Sequence, residues 1–111
     1  MAPRLTVPLT LEAQDRRPDG MGGFMLEWRA LGQVWAEMKS GAGAAQRGEI
    51  GPVASVGWQI TVRAARAGDP RRPKPGQRLR MGQRLFGIQA VAERDAAGRW
   101  LTCFAKEEEP A

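Results

Sequence analysis

The stretch RLRMGQRLFGIQAVAERD, residues 78–95, decides the predicted fold. Its apolar residues fall in two runs of strand length, 78–81 and 84–93, which Gly82-Gln83 separates. A glycine between two short runs of β-forming residues is typical of a tight hairpin, because glycine readily adopts the positive φ that such turns need. The stretch therefore predicts two antiparallel strands.

The same strand pattern recurs on the N-terminal side and at the C-terminal end. Residues 5–14 carry an apolar residue at every second position, the period that turns one face of a strand to a core. Pro8 has no amide to donate, so this strand either starts after Pro8 or lies at a sheet edge there. Further strand-like runs occupy 24–30, 34–39, 58–65 and 99–106.

A short helix across 27–38 is an alternative, since Glu, Ala, Leu and Met favour helices. Gly32 and the alternation around it favour strands instead. Six or seven short strands predict an all-β fold, a small closed or nearly closed β-barrel made by a single domain over 1–111.

Two long loops and a tail complete the predicted barrel. Residues 40–57 contain glycines and small side chains, and residues 68–77 contain three prolines. Loops of this length in so small a domain are usually functional or disordered. Residues 106–111 are expected to form an acidic tail.

The composition excludes much enzyme chemistry. The 111 residues include one cysteine, Cys103, and no histidine, so this chain alone cannot build a zinc site, a Cys-His nucleophile or a Ser-His-Asp triad. Asp15 and Asp19 could act as an acid-base pair, or hold a divalent ion with Glu12, but nothing else converges on them. We expect no catalysis, no cofactor and no metal, in a soluble protein made inside the cell without a membrane segment.

The charge is unevenly distributed. The net charge is +5, yet residues 63–84 hold eight cations against one anion, and Glu107, Glu108 and Glu109 lie near the C-terminus. This uneven charge indicates either that a basic surface contacts an acidic surface of another subunit or protein, or that a basic edge lies near nucleic acid. A basic segment and an acidic tail that are merely solvated are the simpler alternative.

The stretch DGMGGF, residues 19–24, raises the question of a phosphate-binding loop. Dinucleotide and P-loop motifs place their glycines after a strand and before a helix, whereas this cluster precedes a strand. Asp19, Gly20, Gly22 and Gly23 therefore predict a turn.

The four tryptophans have different predicted places. Trp28 and Trp58 share the apolar face of their strands, which favours the core. Trp35 has the opposite parity from Val34 and Ala36, which favours an exposed position at a subunit interface. The place of Trp100 stays open.

In this order the motifs resemble one known family. DGMGGFMLEW, VWAEM, WQITVR, RLRMGQRLFGIQAVAERD and RWLTCFA cover about residues 9–105. Together they resemble the head-tail joining proteins, the head-closure or stopper proteins of tailed phages and of phage-like gene transfer particles. The basic insert PRRPKPG and the Gly/Ala content of 40–57 depart from that pattern.

The resemblance implies a role in the neck of a phage-like particle. It implies a β-barrel subunit, assembled in the cytoplasm, that forms a homo-oligomeric ring, expected to be a hexamer. That ring would lie between a portal or adaptor ring and a tail terminator or tail tube protein, around packaged double-stranded DNA. Adaptor or tail-terminator rings of the same neck remain alternatives, and so does a basic OB-like barrel that binds nucleic acid.

The resemblance also implies a channel gate, and it gives the basic segment a docking role. The loop matching a gate that closes the channel is 40–57, and glycines there permit an inward or a withdrawn path. Its candidate residues are Gly41, Gly43, Gln46, Arg47, Gly48, Glu49, Ile50 and Gly51. The candidate docking residues are Trp35, Arg66, Arg71, Arg72, Lys74, Arg78 and Arg80.

Overall fold

The computed structural model describes residues 2–41 and 57–108. This part of the chain contains six strands: β1 Val7–Pro18, β2 Phe24–Gly41, β3 Gly57–Arg63, β4 Arg78–Met81, β5 Arg84–Glu93 and β6 Trp100–Glu108. Within these residues there is no helix that could cross a membrane. The predicted all-β class is confirmed.

The strands close into a barrel in the order β1-β2-β3-β6-β5-β4, and every neighbouring pair is antiparallel. The closing contact is short, because β4 pairs with β1 only over Thr10–Glu12. Pro8 lies outside that contact and pairs with Trp35 on its β2 side, so the edge interpretation of Pro8 is correct. The predicted β4–β5 hairpin is present, and Gly82 turns it with a φ of 61°.

Apolar side chains from all six strands fill the barrel. Phe86 is the largest fully buried one, and the ring of Trp58 meets it edge-on with centroids 5.6 Å apart. Trp58 thus packs against the core, as the alternation predicts. Burial also raises the pKa of the Cys103 thiol to about 12, which leaves it unreactive. The core comprises Leu9, Leu11, Ala36, Ile60, Val62, Leu79, Phe86, Ile88, Leu101, Cys103 and Ala105.

β2 is one continuous strand of 18 residues where the alternation indicates two shorter runs. Leu11 pairs with Gly32 and Glu12 with Ala30, so one extra residue of β2 forms a bulge. Gly32 has a φ of 152°, which glycine tolerates and other residues rarely adopt. The strand therefore continues through Gly32 with a bend.

The paired ends of β1 and β2 leave the barrel as a two-stranded arm, residues 13–31. β3 pairs with β2 only from Ala36 onward, so no third strand covers the arm. Phe24, Leu26 and Trp28 share one face as predicted, but Phe24 and Leu26 are each 59% exposed. The prediction that Trp28 joins the core is wrong, because it lies half-buried on the arm under the guanidinium of Arg78.

Candidate functional site

The stretch 19–23 forms the turn at the end of the arm. One carboxylate oxygen of Asp19 accepts hydrogen bonds from the backbone N–H groups of Met21, at 2.7 Å, and Gly23, at 3.0 Å. These donors, that of Met21 foremost, lower the pKa of Asp19. Gly20 and Gly22 take φ values of 81° and 87°. Two of the turn's N–H groups are thus occupied by Asp19, unlike those of a phosphate-binding loop.

Three predicted docking residues, Trp35, Arg66 and Arg71, line one groove of about 480 Å³. Trp35 is 52% exposed. The Arg71 side chain crosses Gly32, with its Cγ 3.6 Å from where a Cβ at position 32 would lie. We call this feature the basic groove; its lining is Leu5, Gln33, Val34, Trp35, Val62, Arg63, Ala64, Ala65, Arg66, Asp69 and Arg71.

The basic groove is positive because its arginines outnumber its one carboxylate. Asp69 accepts a hydrogen bond from the backbone N–H of Arg71 at 2.8 Å. Among the described residues, neither Arg66 nor Arg71 forms an ion pair with a carboxylate. Arg63, which stacks on Trp100, has no such ion pair either, so within the described residues the groove offers three uncompensated guanidinium groups beside an exposed indole. The basic segment itself contains no aromatic residue, and β2 supplies this one.

Two further docking candidates, Arg78 and Arg80, pair inside the subunit. Arg78 Nε donates to Glu12 Oε1 at 2.7 Å, and Arg80 Nη2 lies 3.1 Å from Glu12 Oε2. The Glu12 residue is 3% exposed, and the Arg78 side chain is 15% exposed. Arg78 also stacks on Trp28, 4.0 Å from the ring centroid. Arg78 thus has a structural role, and we leave it out of the docking surface.

Arg72 and Lys74 lie in the loop that joins β3 to β4. Arg72 Nη1 donates to the carbonyl oxygen of Ala65 at 2.6 Å, which ties the loop to its own start. Lys74 lines a separate depression of about 260 Å³ together with Arg29 of the arm. Of the two, only Lys74 presents an exposed cation.

The structure describes only the base of the predicted gate. Gly41 ends β2 and pairs with Gly57, the first residue of β3. A Cβ at Gly41 would lie 3.3 Å from the Gly57 carbonyl oxygen, so the two strand ends are in close contact. The other gate candidates, Gly43, Gln46, Arg47, Gly48, Glu49, Ile50 and Gly51, lie outside the described residues.

Comparison with known proteins identifies the family. The sequence model of the phage head completion proteins matches residues 1–108. The chain belongs to the phage head completion protein family. This membership confirms the resemblance that the motifs indicate.

A solved structure supports the same membership in the head completion family. It is a chain of the "Virion of native gene transfer agent (GTA) particle", and it is 52% identical to this one. The match covers 99% of this chain and 100% of that chain, with a TM-score of 0.82. No match was found among curated proteins.

Sequence reasoning missed the arm tip of this head completion family member. Met21 is 91% exposed, and Phe24, Met25 and Leu26 are each more than half exposed. In the sequence these residues surround a glycine turn and continue into a strand, so the pattern predicts an ordinary strand of the main sheet. The available signal is their density: four large apolar residues within six positions at a turn.

Proposed function

We propose that this chain is a structural subunit of the head–tail neck of a phage-like particle. In this proposal, copies form a ring, expected to be a hexamer, between a portal or adaptor ring and the tail. The ring retains packaged double-stranded DNA and offers the tail a platform. The subunit acts through shape and contacts, and it performs no catalysis.

The observation that carries this proposal is the match over nearly the whole chain. Family membership extends over residues 1–108, and a chain of a gene transfer agent virion is 52% identical over 99% of this one. At such identity and coverage the relative's virion role is a strong guide to this chain's role. A family of virion proteins also favours a non-enzymatic function.

The channel gate is assigned to 40–57. β2 ends at Gly41 and β3 begins at Gly57, and these two residues pair, so the chain leaves and re-enters the barrel at one place. An excursion anchored in this way can change its path while the barrel keeps its register. Contacts with the arriving tail would then select the withdrawn path.

A deletion tests the gate. Particles carrying a chain without 43–52 should assemble but lose DNA. A second variant, in which Gly and Ser replace 43–52 at equal length, distinguishes obstruction by specific side chains from obstruction by the bulk of the loop. Nuclease-resistant DNA per particle is the readout. Full DNA retention in the deletion particles would rule out the gate.

The basic groove favours a docking role toward the portal or adaptor ring. Its exposed Trp35 and its uncompensated Arg66 and Arg71 suit a partner that is acidic and partly apolar. The adaptor and tail-terminator positions are alternatives within the same neck. An electron-microscopy reconstruction of the particle neck would distinguish the three positions.

A contact between the basic groove and packaged DNA is a second candidate. The specific observation in its favour is the set of three groove arginines, Arg63, Arg66 and Arg71, since guanidinium groups can contact the phosphates of duplex DNA. Phosphate contacts would make binding fall steeply with salt. Tight, salt-sensitive binding of the isolated chain to DNA would favour this candidate over protein docking.

A further inference from the structure

The arm tip is an apolar surface that the subunit leaves uncovered. Met21, Phe24, Met25 and Leu26 are 91%, 59%, 54% and 59% exposed. Phe24 and Leu26 lie on one face of the arm and Met25 on the other, so both faces of the arm tip expose apolar side chains. Clusters of exposed large apolar side chains mark contact surfaces in soluble proteins.

One face of the arm tip also carries a cation. Arg16 pairs with Leu26 across the two strands, and its guanidinium lies 4.3 Å from the ring centroid of Phe24. Arg17 and Arg29, by contrast, pair with Glu27 and Asp15. Within the described residues Arg16 has no carboxylate partner. The surface that fits this face is therefore apolar with a carboxylate beside it.

The barrel has such a surface on the outside of β3, β5 and β6. A recess of about 180 Å³ lies there, and Phe104, 40% exposed, forms one wall. Gln59 pairs with Phe104 on this outer side, while the neighbouring Ile60 and Cys103 face the core. We call this feature the apolar recess; its lining is Gly41, Gly57, Trp58, Gln59, Gln89, Phe104, Ala105 and Lys106.

The carboxylate of Glu108 stands at the border of the apolar recess. It is exposed, and its Oε2 would lie 3.1 Å from a Cβ at Gly87, the residue that pairs with Lys106 of the recess lining. Glu107 is already engaged by Arg84 at 2.7 Å. Among the described residues Glu108 has no ion-pair partner, so it complements Arg16.

The arm tip cannot reach the recess of its own subunit. Phe24 begins β2 and Gly41 ends it, and this single strand of 18 residues extends along much of the molecule's longest dimension of 52 Å. The two complementary surfaces therefore meet only between copies. A contact between different surfaces of identical chains is head-to-tail, the kind of contact that closes rings.

We propose that the arm tip of one copy packs into the apolar recess of the next copy, with Arg16 facing Glu108. This rests on the proposed ring and names the surfaces that hold it together. The basic groove is a poorer acceptor, because Arg16 would approach three arginines there, whereas the apolar recess has one cation, Lys106, and the carboxylate of Glu108 at its border. The groove thus stays available for a different partner.

Cysteine cross-linking in purified particles tests the contact. The double variant Phe24→Cys with Gln59→Cys, mildly oxidised, should give a ladder of linked chains up to the copy number of the ring. The chain without introduced cysteines should form no cross-links, since its one cysteine, Cys103, is buried. A double variant of Phe24→Cys with Ala97→Cys, an exposed position in the turn between β5 and β6, is the matched control and should give no ladder.

The outcomes separate this contact from the ring itself. A ring visible in the particle neck without a Phe24–Gln59 ladder above the Ala97 control would overturn the contact and leave the proposed function intact. Particles in which the chain forms no ring would overturn both. Linkage of Phe24→Cys to another virion protein alone would assign the arm to that protein and also overturn the contact.

A charge exchange keeps the contact testable if the cysteine variants are not incorporated. Arg16→Glu or Glu108→Arg alone should weaken association of purified chains by roughly fivefold per contact, the upper range for an exposed ion pair. The combined exchange should restore it. Sedimentation across a concentration series measures the association, and equal behaviour of all three variants and the native chain would count against the contact.

Discussion

At the scale of single residues, Glu12 lies in the barrel wall between two arginines. Its carboxylate faces Arg78 at 2.7 Å and Arg80 at 3.1 Å, at the place where β1 and β4 make their short closing contact. Buried charges need partners, because desolvation costs more than one imperfect contact returns. The carboxylate of Glu12 therefore compensates the charge of Arg78 in its mostly buried position.

Removal of Glu12 should destabilise the barrel. We expect Glu12→Ala to lower the free energy of unfolding by about 3 kcal/mol, since Arg78 would stay mostly buried without its carboxylate. Glu12→Gln should cost less, because the amide oxygen still accepts a hydrogen bond. Urea denaturation measures both.

Glu107→Ala is the matched control for Glu12→Ala. It breaks the hydrogen bonds of 2.7 and 2.8 Å from Arg84, but the side chains of that pair are 45% and 31% exposed, against 15% and 4% for Arg78 and Glu12, so it should contribute less. An equal loss of stability in the Glu107 and Glu12 variants would contradict the buried-pair explanation.

The sequence shows that residues 63–84 are rich in cations, but it does not show which carboxylate pairs with which cation. The run of cations in 63–84 is visible, but Glu12 lies 66 positions from Arg78 and nothing local links them. A count of charges treats Arg66 and Arg78 alike, although Arg66 lines an open groove and Arg78 is mostly buried beside Glu12. Which cations remain for a partner depends on strand register, and register appears only in the folded chain.

At the scale of elements, the alternation predicts the strands well but not where they leave the barrel. The predicted bounds of 78–81 and 84–93 agree with β4 and β5, because their turn and their period of two are both local. The arm, 13–31, has the same alternation as the barrel strands. A face made of Phe24 and Leu26 looks identical whether it meets a core or another molecule.

The arm turn should respond to acid through Asp19. Its pKa is lowered chiefly by the N–H of Met21 and then by that of Gly23. A folded-state pKa below the unfolded value means that the stabilisation is complete above the unfolded value and is lost as pH falls through the folded one. The amide shifts of Met21 and Gly23, followed by NMR, should titrate with a midpoint below the ordinary aspartate value.

Asp19→Asn provides the control for the titration. An amide oxygen at the same place can still accept both hydrogen bonds, but it has no proton to gain in this range. The titration of the two amides should therefore disappear. A midpoint at or above the ordinary aspartate value in the native chain would show that the turn does not hold the carboxylate in its charged form.

At the scale of the whole molecule, the exposed surfaces differ in chemistry and in place. The arm tip is apolar, the basic groove carries uncompensated arginines, and the apolar recess lies at the Gly41–Gly57 end of the barrel. A subunit with distinct surfaces can contact a copy of itself and another ring at the same time. The charge pattern of the sequence predicts surfaces of different charge, but where these surfaces lie on the molecule depends on how the barrel closes.

Reversal of one charge in the basic groove should separate folding from docking. Arg66 has no ion pair among the described residues and is exposed, so Arg66→Glu should leave the free energy of unfolding unchanged. If the groove docks an acidic protein surface, the variant should attach to the neighbouring ring at least roughly tenfold less well, because like charges then face each other.

Arg99→Glu is the control for the charge change, since its side chain is 76% exposed and lies outside the groove lining; it gives up an ion pair of 3.4 Å with Asp95, which Arg66 does not have. It should attach normally in a co-sedimentation assay with the neighbouring ring. Repeating the assay across salt concentrations separates the two partners of the groove: a steep loss of binding for the native chain indicates DNA phosphates, and a shallow one indicates protein. Equal attachment of both variants would remove the basic groove from the docking surface, because a contact that depends on Arg66 cannot tolerate a carboxylate in its place.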